Sequence, residues 1–189
     1  MNDRLLALLR THSFARRRVT LASGRESDFF IDCKQTVLLA EGHALVGAAM
    51  YNVARSLGDD IRAVCGVELG GCPLASAVSV VSFQMGHSLD AVYVRKQAKD
   101  HGSKRLTEGD AHLERPAKVV VLEDVVTTGG STLRAVETLR AAGLDVVGVI
   151  VLVDRLEGGR EAIEAAGLPM HALFTRRDFI PEDAEALPS

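Results

Sequence analysis

The residues best placed to do chemistry lie in VVVLEDVVTTGGST, positions 119–132. A valine-rich run delivers two adjacent carboxylates, Glu123 and Asp124, followed by Val125 and Val126 and then by Thr127, Thr128, Gly129, Gly130, Ser131 and Thr132. Vicinal acids of this kind can hold vicinal sugar hydroxyls and a hydrated divalent ion. Small residues let backbone N–H groups close on a phosphate, hydroxyls add donors, and the positive end of a following helix reinforces the site. The blander reading is a solvated acidic strand end followed by a helix N-cap at Ser131. It explains TTGGS but not two consecutive acids after VVVL. Neither GxxxxGK[ST] nor a strand-borne GxGxxG occurs, which disfavours an ATPase or a dinucleotide dehydrogenase.

A second segment, RKQAKDHGSKR at 95–105, carries five Lys or Arg plus His101 against one acid, Asp100. Such a loop suits a small polyanion, although surface solubility alone would also produce it. Arg16, Arg17 and Arg18 read as solvated surface, because no aromatic residues interleave to stack on bases. Cys33, Cys65 and Cys72 are an odd set without CxxC spacing and read as core thiols. His12, His43, His87, His112 and His171 do not cluster in sequence, so a structural or surface role is the expectation.

These groups need a frame, and the hydrophobic pattern supplies one. Residues 3–11 fit a short amphipathic helix, and the stretch around TLASGRESDFFID reads as short strands interrupted at Ser23–Gly24, an appendage before the main fold. Helices are expected at 41–57, 73–83, 131–143 and 159–167, and strands at 61–67, 89–95, 118–124, 144–154 and 169–174. In the helix at 131–143 the apolar stripe is Leu133, Val136, Leu139 and Ala142. Continuous apolar strands alternating with helices imply an α/β fold, a mainly parallel central sheet with helices on both faces. Ligands on such sheets bind beyond the carboxyl ends of the strands, which points to 66–72, 95–105, 123–132 and 154–158.

Composition bounds the rest. The chain has 189 residues, 22 basic against 25 acidic, a formal charge of -3 and 47% apolar residues. That suits one domain with a sizeable core and gives no support to general nucleic-acid binding. No apolar run approaches the roughly eighteen residues that cross a bilayer. The start, MNDRLLALLRTH, lacks a signal-peptide pattern, so a soluble cytoplasmic protein with no membrane partner is expected.

VVVLEDVVTTGGST resembles the phosphoribosyl-pyrophosphate signature of the type I phosphoribosyltransferase family, and YVRKQAKDHGSKR (93–105) resembles the mobile catalytic loop of its orotate-using branch. TLASGRESDFFID (20–32) and LVDR (152–155) match that branch too, so the resemblance covers nearly the whole chain. It implies a type I phosphoribosyltransferase fold with a small N-terminal hood: residues 1–40 as helix and hood, 41–189 as core, functionally one domain. It implies transfer of a phosphoribosyl group from phosphoribosyl pyrophosphate to orotate with Mg²⁺ as cofactor, the metal held mainly through substrate and water. A homodimer with shared active sites follows from the same resemblance.

Residue by residue, the resemblance gives Glu123 and Asp124 to the ribose hydroxyls and Val125 to Thr132 to the phosphoribosyl moiety. Arg95, Lys96, Lys99 and His101 go to pyrophosphate, with Arg95, Lys99 and His101 as catalytic candidates. Arg155 and Thr127 go to orotate, with Ser23, Gly24 and Arg25 closing over the base. Physically, positive charge grows on the ribose as pyrophosphate leaves, so cations on the leaving group and exclusion of water carry the catalysis. Lys99 or His101 can protonate or hydrogen-bond the leaving group.

The chain departs from the family pattern at Ala22, where some members have lysine, and at Leu69–Gly70, where Tyr–Lys is common. Glu68–Leu69 matches a peptide bond that is often strained or cis, and Lys34 is a candidate for compensating charge. A phosphoribosyltransferase for another base is the nearest alternative, opposed by Arg155. A non-catalytic regulator is the third, and the RKxxKDHG loop would be superfluous in it.

Overall fold

Valine and isoleucine runs make the strands of this protein, and their alternation decides which face each residue covers. The computed structural model describes residues 1–20, 26–97 and 105–181. Six strands form the main sheet: β3 (Ile61–Val67), β4 (Asp90–Val94), β5 (Thr107–Glu108), β6 (Ala117–Val126), β7 (Leu144–Asp154) and β8 (Met170–Thr175), in the order β5-β4-β3-β6-β7-β8. All neighbours are parallel except β4 and β5. Register places Cys65 beside Val121, and Val121 beside Val149.

Period-two alternation builds a core on each face. Val64, Val120, Leu122, Ile150 and Leu152 pack against α3 (Ala40–Leu57) and α4 (Gly71–Gln84). Cys65, Val119, Val121, Val149 and Val151 pack against α5 (Gly130–Ala141) and α6 (Gly159–Ala165). At Gly47 of α3 the two helices of the first face approach so closely that a Cβ would meet the Ala77 backbone. The order of connection reverses between β3 and β6, so a crevice opens where their carboxyl ends diverge.

The amino-terminal part is more integrated than an appendage. Helix α1 (Asn2–Leu8) runs on through a π-helical turn at Leu9–Ser13 into the antiparallel pair β1 (Phe14–Thr20) and β2 (Glu26–Ile31). A single turn, α2 (Lys34–Val37), then leads to α3. Leu5, Leu9, Phe29, Cys33 and Val37 belong to the same core as α3 and α4. Phe29, fully buried, meets Phe14 and Phe179 at ring distances of 5.2 and 5.6 Å. The 3₁₀ turn Arg176–Asp178 clamps this hairpin, Arg176 pairing with Asp28 while Arg10 donates to the carbonyl of Asp178.

The expected elements are present, several with different bounds, and β5 and α2 join them. β6 does not stop at Asp124 but pairs with β7 through Val126, because Val125 and Val126 continue the apolar run. α4 starts at Gly71, and Pro73 fits its first turn because N–H groups there have no intrahelical partner. The N-cap of α5 is Gly129 rather than Ser131. Ala142 lies beyond the end of α5, whose buried stripe is Thr132, Ala135, Val136 and Leu139.

Phe29 is the residue that joins hood, sheet and carboxyl-terminal turn. Phe29→Ala is expected to lower stability by about 3–5 kcal/mol in urea unfolding, and Phe29→Leu by less than about 1.5 kcal/mol.

Candidate functional site

Because β6 continues past them as a strand, Glu123 and Asp124 point to opposite sides of the sheet. Glu123 turns toward α5, where Thr132 Oγ1 donates to its Oε2 at 3.0 Å. Asp124 turns the other way and accepts the Val125 N–H at 2.9 Å on Oδ1. Both carboxyls are held above their ordinary range, first by burial. For Glu123, the charge of Asp124 adds to this, and hydrogen bonds from Thr132 and Ser131 and the charge of Lys96 oppose it, leaving its pKa raised to about 8. For Asp124, the Val125 N–H and the Lys34 charge oppose burial.

The loop after β6 turns at Gly129, whose φ of 80° lies in the left-handed region open to glycine. Its carbonyl receives the Leu133 N–H at 2.9 Å and starts α5. The free N–H groups of this first turn face the crevice end of the sheet, where they suit a phosphate.

Across the crevice, the Glu68–Leu69 peptide is cis. Gly70 follows, and a Cβ on it would overlap the Asp124 carboxylate. Glu68 ties this turn to the cationic segment: its N–H donates to Val94 O at 2.9 Å, and its Oε2 accepts the Lys96 N–H at 3.0 Å. Arg95 donates from Nε to Gln97 O at 3.2 Å and lies 3.7 Å from Glu108. A cleft of about 390 Å³ separates this segment from α5, with Arg95, Lys96, Ser131 and Arg134 among its walls.

On the other flank, Arg155 follows β7 and is 8% exposed. Its Nη2 donates to Ser27 Oγ at 3.1 Å and to Phe29 O at 3.2 Å, and lies 2.9 Å from Glu157. Among the described residues its Nε has no hydrogen-bond partner. A buried guanidinium with an idle N–H is suited to a further acceptor, and a planar carboxylate meets that geometry. The Arg155 N–H donates to Val126 O at 3.0 Å, and Gly159 sits so close to Val126 and Thr127 that a Cβ would overlap them.

The structure thus brings Glu123, Asp124, Thr127 to Thr132, Arg95, Lys96 and Arg155 to one end of the sheet. The expected Ser23, Gly24, Arg25, Lys99 and His101 lie outside the described residues. Thr132 was expected as a phosphate donor, but its buried hydroxyl is engaged by Glu123. Val126 is buried through its side chain and offers only backbone. Sequence reasoning missed the Thr132–Glu123 bond and the Asp124–Gly70 fit, although period-two alternation through LEDV already separates the two acids. Among the described residues no three His, Cys, Asp or Glu side chains converge on one point.

Comparison with known proteins agrees with this geometry. The phosphoribosyl transferase domain family matches residues 36–166. The chain is 67% identical over 181 residues to an orotate phosphoribosyltransferase of Sorangium cellulosum, covering 96% of this chain and 94% of that one. It superposes on Mycobacterium tuberculosis orotate phosphoribosyltransferase in complex with Fe(III) dicitrate with TM-score 0.77 and 37% identity, covering 95% of this chain and 98% of that one. Against the same enzyme in complex with 5-phospho-alpha-D-ribosyl 1-diphosphate, the TM-score is 0.76 at 34% identity, with coverage of 94% and 98%.

The raised Glu123 sets a pH dependence of stability. Its folded value of about 8 exceeds its ordinary 4.5, so its contribution is fully present below about 4.5 and is lost as pH rises through 8. Urea unfolding at pH 5 and pH 9 is expected to show Glu123→Gln gaining on the wild type as pH rises. The slope is at most about 1.4 kcal/mol per pH unit inside that window.

Proposed function

The chain belongs to the orotate phosphoribosyltransferase family, and we propose that it transfers the 5-phosphoribosyl group of 5-phospho-α-D-ribose 1-diphosphate to orotate, forming orotidine 5′-phosphate and diphosphate in pyrimidine biosynthesis. The observation that carries this reading is the buried acid pair leading directly into the glycine turn of α5, at the point where the sheet reverses its order.

Each group has a task in that reaction. The turn at Thr127–Ser131 receives the 5-phosphate through backbone N–H groups and hydroxyls. Glu123 and Asp124 accept from the ribose hydroxyls and fix the sugar with C1 facing the base. Arg155 supplies the positive charge for the orotate carboxylate, with Thr127, Ser23, Gly24 and Arg25 as the other orotate contacts. The ring nitrogen of orotate attacks C1, so no covalent nucleophile is needed from the protein. Arg95, Lys96, Lys99 and His101 neutralise the charge that appears on diphosphate, and Lys99 or His101 donates a proton or hydrogen bond to it. Magnesium, the implied cofactor, would ride on substrate oxygens and water beside Glu123 and Asp124 and supply further charge neutralisation to the leaving group.

The same reading treats residues 1–40 as helix and hood over a core of 41–189, working as one functional domain. It also takes the enzyme to be a cytoplasmic homodimer with shared active sites. Two features support this assembly and location. Val80, Phe83 and Met85 leave an apolar face of α4 and its end exposed, which a second copy would cover. Among the described residues no helix is long and apolar enough to cross a membrane.

A panel of bases with phosphoribosyl diphosphate and magnesium, read by diphosphate release, tests the assignment. Turnover with orotate and none with uracil, adenine or hypoxanthine is expected; the reverse pattern sinks the reading. In the same assay Lys99→Ala is expected to lower kcat by about 100-fold or more with little change in melting temperature. Unchanged kcat would remove Lys99 from the chemistry.

A further inference from the structure

Glu123 and Asp124 leave β6 on opposite sides, and the charge of a different lysine acts on each. On the α5 side the cation acting on Glu123 is Lys96. On the other side Cys33 Sγ lies 3.8 Å from Asp124 O, which sets the start of α2 against Asp124, and the cation acting on Asp124 is Lys34, the first residue of α2, which the mechanism above does not use. Lys34 is held rather than loose. One Asp32 carboxylate lies 2.6 Å from Lys34 Nζ, accepts the Lys34 N–H at 3.3 Å and accepts Gln35 Nε2 at 3.1 Å. Its side chain remains 35% exposed rather than sealed in the core.

Space and charge on this side both favour a ligand oxygen at Lys34. The turn 68–70 contributes no cation, and Gly70 cannot carry a side chain without displacing Asp124. Lys34 is thus paired with Asp32 while the charge of Asp124 also acts on it, one positive charge against two carboxylates. An exposed lysine–aspartate pair contributes little to stability. A lysine pinned beside a substrate-holding acid is instead a pre-oriented cation, able to exchange one carboxylate oxygen for a phosphate oxygen without a large conformational cost.

We propose that Lys34 is a diphosphate-binding residue, contacting the leaving group of phosphoribosyl diphosphate from the α4 side of β6 while Lys96 approaches it from the α5 side. This rests on the phosphoribosyl transfer reading given above. It divides the charge of the diphosphate between two elements that are far apart in sequence: the root of the hood and the segment after β4.

Lys34→Gln and Lys34→Arg are compared with the wild type for KM of each substrate, for binding of inorganic diphosphate and of ribose 5-phosphate by calorimetry, and for melting temperature. Lys34→Gln is expected to weaken diphosphate binding and raise KM for phosphoribosyl diphosphate by about 10- to 100-fold. Affinity for ribose 5-phosphate and KM for orotate should stay within about two-fold, and Lys34→Arg should recover most of the loss because it keeps the charge. Unchanged diphosphate binding in Lys34→Gln overturns the proposal. So does an equal loss of diphosphate and ribose 5-phosphate binding with a lowered melting temperature, which would make Lys34 a support for the fold. Diphosphate binding is read without any base, so a wild type that prefers another base would sink the orotate assignment and leave this test intact.

Discussion

Burying two neighbouring carboxylates is the constraint around which this fold is organised. Each would lose several kcal/mol of hydration if left unpaired, and their mutual repulsion adds to that. Continuing β6 through Val126 separates them onto two sides of the sheet, and each side then supplies its own compensation. Thr132, Ser131 and Lys96 answer Glu123; the Val125 N–H and Lys34 answer Asp124. The compensation is incomplete, since both groups stay above their ordinary pKa. A site left short of donors in this way has acceptors ready for the hydroxyls of a ligand.

The loops that surround the pair are fitted to one another as well as to the substrate. Arg155 reaches back to Val126 through its N–H, and Gly159 admits Val126 and Thr127 at contact distance. Glu68 joins the cis turn to the start of the cationic segment. The acid pair, Arg155 and the start of the cationic segment therefore rest on loops that contact one another. A displacement of one loop reaches the others through packed atoms rather than through side-chain adjustment alone.

Much of this was legible in the chain itself, for identifiable reasons. The strands at 61–67 and 144–154 coincide with the apolar runs because buried parallel strands need little else to define them. The acid pair and the threonine–glycine turn were readable because their composition is unusual for a solvated loop. The engagement of Thr132 was not, since a threonine in a small-residue loop reads the same whether its hydroxyl faces a phosphate or a buried acid. Nor was the role of Gly70 as room for Asp124, which depends on contact between residues more than fifty positions apart. The hood reads as an appendage in sequence because its strands are short; the packing of Phe29 on Phe179, 150 positions away, leaves no mark in the local pattern.

That last contact has a reach beyond the hood. The hairpin carrying Ser27 and Phe29 is held by Arg176 on Asp28 and by Phe179 against Phe29, residues far downstream of it. Arg155 donates two hydrogen bonds to the same hairpin, to Ser27 Oγ and Phe29 O. The seat of the Arg155 guanidinium therefore depends on the 3₁₀ turn by way of the hairpin, and a change at Arg176 or Phe179 would be felt at Arg155 without touching it.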